Sequence, residues 1–221
     1  MRADELINHR VPPLKMSDDA HKAILWMEEL RCNQLPVVDS EKFLGLISED
    51  IILEQNDLKK KIADFDLICE RCYVSVASHF YEVIKTASEN NVQTVGVLDK
   101  DEKYCGVITV QDTIAAVAQS ISIKMPGGIL ILSMEQRDYS LSEISRLVEE
   151  NNAKIISSNV IEDPIDRDKI KVTIKINTHE LNRIVATLER FGYHITGRFE
   201  DSKPDDSQRE KLDMLFKYLE I

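Results

Sequence analysis

The first half of this chain is written twice, and that repeat constrains the fold more than any other feature of the sequence. The segments "PLKMSDDAHKAILWMEELRCNQLPVVDSEKFLGLISED" (13–50) and "YVSVASHFYEVIKTASENNVQTVGVLDKDEKYCGVITVQD" (73–112) lie about sixty residues apart. Asp39 aligns with Asp99, and Gly45 aligns with Gly106 after a one-residue insertion. Each copy opens with a short extended stretch and continues into a helix. The apolar stripes of those helices are Ala23, Ile24, Met27 and Leu30 in one copy and Phe80, Val83, Ile84 and Ala87 in the other. Asp18 or Asp19 is the expected N-cap of the first helix. Two β-branched strands follow, "LPVVD" with "FLGLI" and "TVGVLD" with "YCGVI", each pair joined by a polar turn. Each copy then enters a second helix, which makes the unit β-α-β-β-α.

The chemistry of the repeat lies where the last strand meets that second helix. In "CGVITVQDTI" (105–114) Asp112 stands three residues after the hydroxyl of Thr109. In "LGLISEDIIL" (44–53) Ile51 stands three residues after Ser48, and the acid, Asp50, has arrived one residue early. The free N–H groups and positive dipole end of a helix start can hold a phosphate. Thr109 can add its hydroxyl. Asp112, one turn on, can accept from both hydroxyls of a ribose. The same pair also reads as a plain helix cap with an acid in its favourable first turn. Asp50 lies about 100° round the helix from the position that Asp112 takes.

Composition excludes several classes. A net charge of −11 opposes a nucleic-acid partner but not a small nucleotide held by a local donor cluster. No apolar run reaches the ~20 residues of a membrane span, and "MRADELINHR" lacks the apolar core of a signal peptide. A cytoplasmic chain with no membrane partner is expected. The four cysteines are Cys32, Cys69, Cys72 and Cys105. "CERC" (69–72) has no second pair to complete a zinc site, so no metal is expected and the cysteines are read as reduced thiols. No Gly-rich phosphate loop, nucleophile elbow or HExxH occurs, so the chain is expected not to be an enzyme.

After "KMPGG" (124–128) the pattern changes. "ILILSM" (129–134), "AKIISSNVI" (153–161), "IKVTIKI" (170–176) and "YHITGRF" (193–199) read as strands, with Ile170, Val172, Ile174 and Ile176 on one buried face. "SLSEISRLVEENN" reads as a helix with Leu141, Ile144, Leu147 and Val148 inward and a Ser140–Glu143 capping box. "THELNRIVATLERFG" reads as a helix with Leu181, Ile184, Val185 and Leu188 inward, stopped at Gly192. The order βαββαβ predicts a ferredoxin-like sandwich, so the chain combines α/β and α+β classes. The tail from 201 to 221 is first acidic and then amphipathic, with Leu212, Leu215, Phe216 and Leu219 on one face and a Ser207–Glu210 capping box.

The repeat over residues 8 to 121 resembles the CBS domain, which occurs as a tandem pair, on "LPVVD" (35–39), "GLIS" (45–48) and "GVITVQD" (106–112). The resemblance implies regulation by an adenosine-containing ligand such as AMP, ADP or ATP, held in the cleft between copies. Carried onto this sequence, one site combines Val107, Thr109 and Asp112 with Val11, Pro12, Cys32, Asn33 and Gln34, while the opposite site pairs Ser48 with Ile51, which cannot accept from a ribose. Family members that bind AMP or ATP tightly often carry His or Arg where this chain has Gln93 and Thr94, and Lys15, Arg31 or a partner chain are the alternative sources of that charge. The second half resembles an ACT domain over 128 to 200, although "QRDYSLSE" lacks the Asp-x-Pro-Gly of its amino-acid-sensing members. A CBS pair followed by ACT is the layout of bacterial acetoin-utilisation-type regulatory proteins. The implied organisation is a CBS pair over 1–124 (copies about 8–56 and 70–121), an ACT-like domain over 125–200 and a tail over 201–221. The implied role is a non-catalytic homodimeric sensor acting on a regulated protein partner. Amino-acid sensing through the ACT-like half and a ligand-free oligomerisation scaffold are the alternatives.

Overall fold

Many equivalent residues of the two copies make the same backbone bonds. The computed structural model describes residues 1–119 and 121–200 and divides into two compact units, Met1–Ala118 and Gln119–Ile221. The first unit holds α1 (Ala20–Leu30), β1 (Gln34–Asp39), β2 (Lys42–Ser48), α2 (Glu49–Gln55), β3 (Tyr73–Ser75), α3 (Phe80–Asn90), β4 (Thr94–Leu98), β5 (Tyr104–Thr109) and α4 (Val110–Ala118). Asp19 caps α1 by accepting from the Lys22 backbone N–H. Both first helices end on a left-handed residue, Arg31 (φ 53°) and Asn91 (φ 52°). The next amide then bonds back: Cys32 N to Met27 O and Val92 N to Ala87 O, each at 3.0 Å.

β1 pairs antiparallel with β2, and β4 pairs antiparallel with β5. β3 adds a parallel strand to the second sheet, whereas its counterpart in the first copy is a single bridge, Leu14 to Val37. The last strand of each copy is buried on both faces, and its alternation splits its residues between two cores. Ile47 and Ile108 pack in their own copies. Leu46 crosses into the core of the second copy, and Val107 crosses into the core of the first.

The second unit contains α5 (Ile121–Lys124), β6 (Gly128–Glu135), α6 (Leu141–Glu149), β7 (Ile155–Glu162), β8 (Lys169–Ile176), α7 (Asn182–Arg190) and β9 (His194–Glu200). Its sheet order is β7-β8-β6-β9, antiparallel throughout, which is the βαββαβ sandwich predicted from the sequence. Ile170, Val172, Ile174 and Ile176 face the helices and are buried with Leu130, Leu132, Ile144, Leu147, Leu181, Ile184 and Leu188. Gly192 stands just past α7 at φ 86°, where a side chain would be strained.

Several expectations fail locally. Ile84 and Leu141 are 41% and 40% exposed. Ile84 flanks the α3 stripe that Val83 centres, and Leu141 is the first residue of α6, at the helix end. Ser140 caps α6, but Glu143 does not return the bond and instead accepts from the Tyr193 hydroxyl at 3.1 Å. Cys69 and Cys72 are not thiols but form a disulfide. A left-handed Cys69 (φ 53°) folds the turn so that their Cα atoms lie 5.3 Å apart. The expected tail helix lies outside the described residues. No described helix is long and apolar enough to cross a membrane.

Leu147→Ala should destabilise the second unit by about 2–5 kcal/mol, because it opens a cavity in a closed core. Leu141→Ala, at the exposed first residue of the same helix, should stay within about 0.5 kcal/mol. Denaturant titration of both variants checks the contrast.

Candidate functional site

β5 delivers the site. Its last residue, Thr109, is extended and half-buried, and α4 begins at the next residue. The Asp112 backbone N–H donates to Thr109 Oγ1 at 3.1 Å. In return the Thr109 backbone N–H and hydroxyl donate to Asp112 Oδ2 at 2.9 and 2.6 Å. Hydroxyl and acid therefore form a reciprocal capping box, with the carboxylate folded over the helix start.

A residue from the far end of the chain completes this arrangement. Asn8 Nδ2 donates to both Asp112 oxygens, at 3.2 Å each. The Asn8 backbone N–H donates to Val107 O at 2.8 Å, and its Oδ1 accepts from the Arg10 N–H at 3.0 Å. Val11, just beyond, is buried in one core with Val107. So Val11, Val107, Thr109 and Asp112 converge, with Pro12 half-buried beside Val11.

The other flank is built around the loops before β1 and β4. The Val110 N–H donates to Gln93 O at 2.9 Å, and the Gln93 N–H donates to the buried Gln34 Oε1 at 2.8 Å. The equivalent amide in the first copy, Glu49 N–H, donates to Asn33 O at 2.9 Å. A cavity of about 330 Å³ opens here, lined by Met27, Glu28, Arg31, Cys32, Asn33, Glu49 and Gln93. Asn33 Oδ1 is buried and has no hydrogen-bond partner among the described residues. Burial pushes the half-buried Cys32 thiol above the ordinary thiol range. The lining carries two acidic residues, Glu28 and Glu49, and one basic residue, Arg31, and does not include Lys15.

The predicted residues thus form two groups. Val11, Pro12, Val107, Thr109 and Asp112 stand on one side of the α4 start. Cys32 and Asn33 line the cavity, and Gln34 joins the sides through Gln93. Asn8, Glu28 and Glu49 were not foreseen. The only trace of Asn8 in the sequence is a short polar residue just before the extended stretch, in "INHRVPP".

The opposite cleft has the same backbone and different chemistry. Ser48 caps α2 and accepts from the Ile51 N–H at 3.4 Å, while Asp50 is exposed. Leu46 takes the place of Val107, and its carbonyl accepts from the Ile68 N–H at 2.8 Å as Val107 accepts from Asn8. Where one cleft pairs Asn8 with Asp112, the other therefore carries Ile68 and Ile51. Ile51 packs against the core of the first copy and Ile68 against that of the second.

Residues 3–56 match the family model of the CBS domain. Inosine-5'-monophosphate dehydrogenase of Methanocaldococcus jannaschii is 29% identical over 115 residues, which is 50% of this chain but only 22% of that enzyme. Among solved structures, a CBS domain pair/ACT domain protein of Thermotoga maritima is similar with a TM-score of 0.50 at 16% identity, over 55% of this chain and 99% of that one. A protein of M. jannaschii gives a TM-score of 0.50 at 19% identity, over 57% of this chain and 62% of its own. These likenesses support a CBS-domain-pair fold.

Burial pushes both free thiols, Cys32 and Cys105, above the ordinary thiol range, so the two should separate on alkylation by access, Cys32 being half-buried and Cys105 exposed. Iodoacetamide at pH 8 should modify the exposed Cys105 before Cys32. The Cys32 rate should still be climbing above the pH at which an ordinary thiol levels off, as read by mass spectrometry of the peptides.

Proposed function

We propose that the first unit is a regulatory, non-catalytic sensor that binds one adenosine-containing ligand per chain, with the ribose on Asp112 and Thr109. The observation that carries this reading is the asymmetry of the two clefts. Both keep the strand-to-helix turn and its hydroxyl cap, and only one places a carboxylate over the helix start. A cap alone needs no such acid, as Ser48 with Ile51 demonstrates. Val11, Pro12 and Val107 would receive the base, and Cys32, Asn33 and Gln34 would meet the ligand from the other copy. The likeness to a dehydrogenase covers 22% of that enzyme, and its catalysis is not carried over.

The cavity's charge narrows the ligand. Thr109 and Asp112 do not line this cavity, and a phosphate chain that reached across to its two acidic residues and one basic residue would be disfavoured, so a nucleoside or monophosphate suits the site better than a triphosphate. Gln93 and Thr94 add no cation.

The second unit reads as an ACT-like module that pairs two chains. Its βαββαβ order supports this. So does its edge strand β7, which no other strand pairs on its outer side among the described residues, with Val160 and Ile161 41% and 49% exposed. Occupancy of the first unit would be passed to a regulated protein by a cytoplasmic homodimer of the acetoin-utilisation type. Light scattering at micromolar concentration should return twice the 25.3 kDa chain mass, and a monomer would remove the dimer from this reading.

Calorimetry should find one AMP site per chain, bound more tightly than ATP. Asp112→Ala should weaken AMP binding roughly tenfold to a hundredfold, because a charge-assisted acceptor contributes about 1.5–3 kcal/mol. Asp50→Ala should leave it unchanged. Equal losses from both substitutions, or two equivalent sites, would contradict the assignment.

A further inference from the structure

We propose that Asn8 is an internal competitor for the ribose position, a side chain that occupies the Asp112 carboxylate until a ligand diol displaces it. This rests on the reading of Thr109 and Asp112 given above.

The argument begins with the two carboxylate oxygens. Oδ2 is held by the Thr109 backbone and hydroxyl at 2.9 and 2.6 Å, which are short, firm bonds. Among the described residues, Oδ1 accepts only from Asn8. Asn8 spreads a single amide nitrogen over both oxygens at 3.2 Å each. Bonds of that length to a carboxylate are weak for their kind, since charge-assisted pairs close to about 2.5–2.9 Å. A ribose diol offers two separate O–H donors with the spacing of two carboxylate oxygens. It can make two short bonds where Asn8 makes two long ones, and at Oδ2, which already accepts twice from Thr109, the place Asn8 takes is the one a second ribose hydroxyl needs.

The surroundings of Asn8 are those of a clasp. Its backbone is pinned on Val107 O, and its Oδ1 is engaged by the Arg10 N–H. An amide that leaves Asp112 also gives up the Arg10 bond, while the backbone bond to Val107 O keeps the residue in register. The segment it belongs to leads directly to Val11 and Pro12, which places the clasp beside the residues that would receive the base. The opposite cleft supplies an internal control. There the positions of Asn8 and Asp112 are Ile68 and Ile51, while the backbone bond from Ile68 N–H to Leu46 O is kept at the same 2.8 Å. The backbone geometry therefore does not require an amide at this position. The amide stands only in the cleft that has the acid.

A residue that merely orients Asp112 would give the opposite response to one that competes with the ligand, and the two roles separate by titration. AMP and 2′-deoxy-AMP are titrated calorimetrically into the full chain, the Asn8→Ala variant and the Asp112→Ala variant. Competition requires Asn8→Ala to raise AMP affinity about tenfold, with a smaller gain for 2′-deoxy-AMP, which brings one hydroxyl fewer to the contested oxygens. An AMP affinity that is unchanged or lowered in Asn8→Ala overturns the proposal in favour of a positioning role. Equal gains for both ligands overturn it as well, because a general loosening of the segment does not distinguish the hydroxyls. If AMP does not bind, or binds the parent chain and Asp112→Ala alike, the ribose reading falls and this inference falls with it. That result is recognisable because the Asp112 control fails first.

Discussion

The first unit depends on an exchange of one residue between two cores. A sheet of two or three short strands is marginal alone, since it has too little surface to bury. Here each copy lends its neighbour the residue that its own alternation turns outward, Leu46 in one direction and Val107 in the other. Each is fully buried, so each contributes on the order of 1.5–3 kcal/mol to a core it does not belong to by sequence. The exchange also fixes where the chemistry falls. Two residues after each lent side chain the strand ends in a hydroxyl, Ser48 or Thr109, and a helix begins. The clefts are set at the joint between copies because the joint is what the strands are built to make.

Symmetry of backbone therefore comes with the fold, and asymmetry of function must be written in side chains. The carbonyls of Leu46 and Val107 accept equivalent bonds, from Ile68 and Asn8, and the amides at the starts of α2 and α4 donate to equivalent carbonyls, Asn33 and Gln93. On that common frame one cleft spends its positions on packing. Ile51 is half-buried and packs against the core of the first copy, so the position is given to an apolar contact. The other cleft can hold a carboxylate because Thr109 and Asn8 satisfy it.

What could be read in the sequence follows from the range of each interaction. The repeat, the strand alternation and the helix stripes are local patterns, so β1, β2, β4, β5 and the whole βαββαβ half were legible, including the face that carries Ile170 to Ile176. The Asp19 cap and the Gly192 stop are encoded within a turn. Asn8 was not legible, because it meets Asp112 across 104 residues and nothing local marks the encounter. The disulfide was missed for a related reason. Spacing alone allows a C-x-x-C to stay reduced, and only the left-handed turn at Cys69 brings the pair together. Glu143 was assigned to a cap by spacing, but a partner fifty residues away, Tyr193, offered a hydroxyl that its own helix could not match. Short-range rules fail here where a distant polar group competes for the same side chain.

The slipped aspartate shows how small a change separates the clefts. Moving an acid by one position along a helix turns it by about 100° and takes it from the cleft to solvent, where Asp50 stands. Nothing else in the frame has to move: Ser48 still caps, α2 still begins and the helix start keeps its dipole. A phosphate-sized anion would find similar amides at both sites, but a diol would find an acceptor at one. The distinction between the clefts thus lies in hydrogen-bond acceptance from neutral hydroxyls and not in charge attraction. This agrees with a cavity whose own carboxylates outnumber its cation. On the proposed reading, a pair of clefts built in this way sorts ligands by their sugar before their phosphates.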